Sequence, residues 1–198
     1  MKKKKDTFIN MVVSLFAITI VSGFALGFVN DFTVGPIKDA KIAKKVNALK
    51  LVLPDFDNNP VEEVILINSE FVKDSVEVYP AFKNMEFVGA AIIGSTEKGF
   101  SGLIKVMVGF KPDGTIQNIE VLEQKETPGL GTKMKDDKFI AQFREKNPLT
   151  FNVKPTKDQG EVDALTGATI TTRAFGEAVQ MAYDEFMKNN SSIKELKN

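Results

Sequence analysis

GLIKVMVGF-KPDG-TIQNIEVL, residues 102–122, is the stretch that decides the fold class. Its two apolar runs repeat with a period near two and are rich in Ile and Val, so Gly102 to Phe110 and Thr115 to Leu122 read as strands. Between them stands Lys111-Pro112-Asp113-Gly114. Proline presets φ at a turn and glycine accepts positive φ, so the two strands fold back as an antiparallel hairpin.

Upstream, Phe71 to Tyr79 and Glu86 to Ile93 have the same period and read as further strands. Asp55 to Pro60 is turn-rich. Before it, Ile37, Ala40, Ile42, Ala43, Val46, Leu49 and Val52 recur at helical spacing, and Pro54 ends that helix. Downstream, a loop from Gln124 to Lys133 leads to a short helix, Asp136 to Lys146, with Phe139, Ile140 and Phe143 turned inward. The last clear element is a helix from Thr171 to Lys188, with Ala174, Phe175, Ala178, Val179, Ala182 and Phe186 along one stripe. Strands grouped together and followed by helices predict an α+β fold with an antiparallel sheet and packed helices.

Phe8 to Val29 is a run of 22 residues without a charge, whose polar members are Asn10, Ser14, Thr19 and Ser22. As a helix it would extend roughly 33 Å, enough for a hydrocarbon layer of about 30 Å. A buried helix of a soluble protein is the less favoured reading, because the run is apolar all round. Lys2 to Lys5 precede it, so the positive-inside rule places the N-terminus in the cytoplasm and the rest outside. This gives a basic cytoplasmic N-terminus (1–7), a transmembrane helix (8–29) in the cytoplasmic (inner) membrane and one extracytoplasmic domain (30–198). A cleaved signal peptide is the competing reading, because Ala25-Leu26-Gly27 resembles a cleavage site. The run is longer than a usual signal core, which favours an uncleaved anchor. Gly23 and Gly27 have a spacing that permits close helix packing, or they are incidental.

Composition removes several kinds of chemistry. The chain of 198 residues has neither Cys nor His. Thiolate-held clusters, c-type haem attachment, His-ligated metals and Ser-His-Asp or Cys-His catalysis are therefore excluded. Redox chemistry would have to come from an organic cofactor. The overall net charge is zero, divided as +3 over the first thirty residues and −3 over the remainder. A mildly acidic body without a cluster of Lys and Arg is a poor nucleic-acid binder. No Gly-x-Gly-x-x-Gly follows a strand, so there is no dinucleotide fingerprint.

The segment that offers chemistry is Asp163-Ala164-Leu165-Thr166-Gly167-Ala168-Thr169, just ahead of the final helix. The first turn of a helix has unpaired amides and a partial positive charge, which suit a phosphate. Gly167 and Ala168 allow close approach to the backbone, and Thr169 supplies a hydroxyl at that spot. A bare helix cap would use residues of the same kind.

Asp-x-x-Thr-Gly-Ala-Thr resembles the flavinylation motif of the FMN-binding domains in the Rnf electron transport complex and the sodium-translocating NADH:quinone reductase. Glu126-Thr127-Pro128-Gly129-Leu130-Gly131 is similar to a loop that contributes to the flavin site in that family. The strands from Gly99 through Gly109 to Ile116 also resemble its core. Total length and Leu51-Val52-Leu53-Pro54 favour the Rnf branch of the family over the longer quinone-reductase branch.

The resemblance implies FMN held by a phosphoester on Thr169. A separate flavin transferase installs it from FAD, with Asp163, Thr166, Gly167 and Ala168 as recognition residues. It implies a single-pass relay protein, not independently catalytic, in a membrane complex that couples electron flow between ferredoxin and NAD to ion movement. The other subunits of that complex would be its partners. The alternatives are the FMN-binding component of the quinone reductase or another anchored FMN relay and, from a different class, a non-redox membrane-tethered binding or scaffold module.

Other features have plainer readings. Phe100 and Tyr79 could stack on a flavin ring, but core packing is the better expectation for both. Glu62, Glu63, Asp136 and Asp137 read as solvated faces. Lys133 could touch a phosphate or simply lie on the surface.

Overall fold

A computed structural model describes residues 7–69 and 75–194. The basic run Lys2 to Lys5 and the start of the strand expected from Phe71 lie outside the described residues. The chain divides into two compact units, Met1–Ala43 and Lys44–Asn198.

The first helix, α1, is Phe8–Val52. The stretches read from sequence as an anchor and a separate helix thus run on as one. Pro36 lies inside it, where a proline removes one backbone donor. Its ring also crowds the carbonyl four residues back, yet its fixed φ is compatible with a helix and the element continues through it. Just upstream the Thr33 hydroxyl donates back to the Val29 carbonyl at 2.8 Å. In the first unit every described side chain from Phe8 to Ala43 is exposed, apart from half-buried Thr33. Long and apolar, α1 meets the length and composition needed to cross a membrane.

The second unit is built on a five-stranded antiparallel meander in chain order. Its strands are β1 (Ile65–Ile67), β2 (Val76–Lys83), β3 (Glu86–Gly99), β4 (Gly102–Phe110) and β5 (Ile116–Gln124). The β4–β5 hairpin closes as the sequence predicts. The Lys111 amide donates to the Thr115 carbonyl at 2.8 Å and the Gly114 amide to the Lys111 carbonyl at 2.9 Å. Gly114 has φ of +86°, which a side chain would disfavour. Phe110 pairs with Ile116, with register shifts at Lys105/Val106 and Gly109/Phe110. β1 is absent from the sequence reading because three residues are too few to show a period.

Alternation along the strands gives the sheet two buried faces. Val78, Ala90, Ile92, Ile104, Val106, Val108 and Phe110 belong to one core. Tyr79, Ala81, Ala91 and Met107 belong to the other, under Ala48, Leu49, Val52 and Leu53 at the end of α1. A Cβ added to Gly109 would lie 2.0 Å from the Val52 carbonyl oxygen, so the helix end rests on bare backbone there. The Lys45 ammonium and the Tyr79 hydroxyl both donate to Glu77 on this side.

The opposite core is covered by α3, Thr169–Lys194, which starts two residues earlier than its apolar stripe suggests and runs longer. Phe175 and Phe186 are fully buried, and Phe186 stacks on Phe110 with ring centroids 5.0 Å apart. A 3-10 turn (Gly131–Lys135) stands at the end of the expected loop, and the expected helix at 136–146 shrinks to a single helical turn, α2 (Asp137–Ile140), and further turns. Its apolar residues still pack inward, with Phe139 and Phe143 against Phe175 at 5.1 and 5.2 Å. Ring packing fixes this segment where local helix bonding does not.

Candidate functional site

Two glycine turns adjoin at the start of α3. The first spans Leu165-Thr166-Gly167-Ala168, closed by the Ala168 amide donating to the Leu165 carbonyl at 2.9 Å. Gly167 has φ of +75°, the conformation that the third position of a type II turn requires. Ala168 is buried, and its carbonyl accepts the first helical bond from the Thr172 amide at 3.0 Å. The Thr172 hydroxyl donates to that same carbonyl and accepts from the Leu165 amide, at 3.1 Å in each case. The chain thus enters α3 in a fixed direction.

Thr169 is the first residue of α3 and is half-buried. Among the described residues, the amides of Thr169, Ile170 and Thr171 have no protein acceptor. They are the free donors of a helix start. Thr166 and Gly167 are exposed. Asp163 is exposed as well, and its amide donates to Gln142 Oε1 at 2.7 Å.

The second turn is Thr127-Pro128-Gly129-Leu130, in which Gly129 also has φ of +75° and the Leu130 amide donates to the Thr127 carbonyl at 3.2 Å. These four residues are exposed and Gly131 is buried. A Cβ built on Gly167 would lie 3.4 Å from Leu130 Cδ2. The two sequence-selected segments, 126–131 and 163–169, are therefore brought together.

Glu126 differs from the rest of its loop. It is 4% exposed. Its Oε1 accepts from the Ser101 amide at 2.8 Å and its Oε2 from the Thr171 hydroxyl. Both oxygens are taken by the protein, so the side chain lies behind the surface that Thr127 to Leu130 present.

One turn along α3 from Thr169, Arg173 makes a two-pronged pair with Asp158. Those hydrogen bonds hold the Asp158 carboxyl below its ordinary range and raise Arg173. Phe100 is 68% exposed at the β3–β4 turn, beside Ser101, so core packing does not hold for it. The turn leaves its ring no layer to enter. Tyr79 is core as expected. Leu130 and Ile170 are further exposed apolar side chains. Lys133 is exposed. Sequence reasoning missed Thr171, Thr172, Gln142 and the Asp158–Arg173 pair. Only the two threonines stood close enough to the motif to attract notice.

The model of an FMN-binding domain matches residues 99–184, a span that includes both turns. The chain is 34% identical over 165 residues to the G subunit of the ion-translocating oxidoreductase complex of Vibrio atlanticus, covering 79% of each. It is 31% identical to the G subunit of the Na(+)-translocating ferredoxin:NAD(+) oxidoreductase complex of Acetobacterium woodii, covering 66% of this chain and 68% of that one. Among solved structures, the NqrC of Shewanella oneidensis shares the fold, with a TM-score of 0.50 and 24% identity over 71% of this chain and 75% of that chain.

Proposed function

The chain belongs to the G-subunit family of ion-translocating oxidoreductase complexes, and from that membership we propose that it is the FMN-bearing electron relay of an Rnf-type complex, with the flavin held covalently on Thr169. It is a redox component of an oxidoreductase with an FMN-binding domain and is anchored by a long apolar helix. Its partners are the other subunits of such a complex.

The observation that carries the attachment is the presentation of Thr169. Its hydroxyl opens α3, beside three amides without an acceptor among the described residues and beside the side-chain-free Gly167. A phosphoester there would meet unpaired donors and the positive end of the helix dipole. Leu130, beside Gly167, and Ile170, next in the helix, offer exposed apolar surface for a flat ring system. FMN, when bound, supplies one- or two-electron transfer that no side chain of this Cys- and His-free protein can supply. The protein's own part is to expose the hydroxyl, receive the phosphate with its amides and keep the cofactor tethered.

Attachment needs a flavin transferase that uses FAD. The Thr169 oxygen bonds to the FMN-side phosphorus, the bond between the two phosphates breaks, AMP leaves and the hydroxyl proton is released. Asp163 and Thr166 to Ala168 are the surface that such an enzyme reads. The basic start at Lys2 to Lys5 supports a cytoplasmic N-terminus, with residues 8–29 as the spanning segment and the domain outside.

The test is the intact mass of the full chain co-expressed with a flavin transferase, followed by peptide mapping. An added mass of FMN less water on the peptide containing Thr169 is the expected result. An unmodified mass under those conditions would remove the covalent-carrier reading.

A further inference from the structure

Glu126 joins three parts of the chain that are far apart in sequence. Its carboxylate receives the Ser101 amide from the β3–β4 turn and the Thr171 hydroxyl from α3, while its own amide donates to Gln124 Oε1 at 2.6 Å. Two glycines make room for it. A Cβ on Gly99 would stand 2.8 Å from Oε1, and one on Gly131 would stand 2.8 Å from Oε2 and 2.9 Å from Thr171 Oγ1. Thr171 is itself buried, two residues beyond Thr169 in the same helical turn.

The way Glu126 meets the helix matters for charge. A carboxylate at a helix start usually takes the free amides. Here it takes a side-chain hydroxyl on the inward side, and the amides of Thr169, Ile170 and Thr171 find no acceptor among the described residues. Residues two apart on a helix point to nearly opposite sides, so the clamp grips α3 behind Thr169. At the other end of the same loop, Leu130 lies over Gly167.

We infer that Glu126 is a positioning residue for flavin attachment. Acting through Thr171, it fixes the first turn of α3 against the 126–131 loop, so that the Thr169 hydroxyl is held in one orientation toward the incoming FMN phosphate. Both of its carboxylate oxygens are engaged by the protein, so it acts through Thr171. The inference rests on Thr169 as the attachment residue.

The experiment follows the intact mass of the full-length protein in detergent with the flavin transferase and FAD, below the melting temperature of every variant. Thr171→Val removes the hydroxyl and keeps the shape, Thr171→Ser keeps the hydroxyl, and Glu126→Gln removes the charge. Thr171→Val and Glu126→Gln are expected to slow flavin uptake about tenfold, the factor equivalent to ~1.4 kcal/mol. Thr171→Ser should react at close to the wild-type rate. The double variant Glu126→Gln/Thr171→Val should be no slower than the slower single one, since the two act as a unit. Val78→Ala, in the core of β2, supplies a destabilised control that should load normally. The inference is overturned if Thr171→Val loads as fast as wild type, or if Val78→Ala with an equal loss of melting temperature loads as slowly. If the wild-type chain gains no mass, the Thr169 assignment falls and this inference with it. If only the variants fail to differ, the clamp alone falls.

Discussion

A threonine hydroxyl is a weak nucleophile wherever it sits, so its surroundings must distinguish Thr169 from its neighbours. Thr171 and Thr172 are each 1% exposed, and their hydroxyls donate to Glu126 and the Ala168 carbonyl. Thr169 alone of the three is accessible, beside free amides. Thr169→Ala should therefore abolish covalent flavin and leave unfolding within about 0.5 kcal/mol of wild type, as for other substitutions outside the core. Thr169→Ser should retain it. In-gel flavin fluorescence and urea unfolding check both halves, and a fluorescent Thr169→Ala band would move the attachment elsewhere. The candidate attachment residue can be picked from the sequence because its motif is contiguous. Its support cannot. Glu126 and Thr171 are 45 residues apart, and no local pattern records that they meet. Phe100 was misread for a related reason: hydrophobicity says nothing about whether a turn leaves a ring outside.

At the scale of elements, packing depends on glycines that permit backbone contact. A Cβ on Gly94 of β3 would come within 2.0 Å of the Ala178 carbonyl oxygen on α3. Neither backbone can yield alone, so Gly94→Ala is expected to destabilise by about 3 kcal/mol, read from the midpoint of urea unfolding. A shift below ~0.5 kcal/mol would show that α3 can slide on the sheet. The sheet's other face answers to pH. Burial works to raise Glu77, but hydrogen bonds from Lys45 and Tyr79 together outweigh it and hold its carboxyl below the usual value. A depressed folded-state value gives stability that is present above the unfolded value of about 4.3 and lost as pH falls through the folded one. Glu77→Gln should thus cost about 1 kcal/mol or less near neutral pH, given that the pair is one-third exposed. That deficit should shrink below pH ~4. An equal deficit at both ends of the pH range would separate the effect from this ionisation. The hairpin at 102–122 was readable because Pro112 and Gly114 mark its turn. The continuity of α1 through Pro36 was not, since a proline reads as a boundary while its fixed φ still fits a helix.

The whole molecule separates burial from anchoring at a definite place in α1. Its buried residues, Ala48, Leu49 and Val52, all lie beyond Ala43, within the second compact unit. That unit also holds the sheet, α3 and both glycine turns, while the described side chains of the first unit are almost wholly exposed. The apolar run is therefore not part of the core, and membrane attachment and folding should be separable by truncation. A chain beginning at Lys44 is expected to be monodisperse without detergent and to melt cooperatively. A chain beginning at Pro54 removes the cover from Tyr79, Ala81, Ala91 and Met107. Losing four buried side chains, Ala48, Leu49, Val52 and Leu53, and the face they cover costs on the order of 5 kcal/mol, a large share of the stability of an ordinary domain. The shorter chain should therefore aggregate or unfold in low urea. Size-exclusion chromatography and urea titration of the two fragments decide the matter. If both behave alike, the last turns of α1 contribute nothing to the domain. If the longer one also needs detergent, the apolar segment is bound into the fold rather than reserved for the membrane.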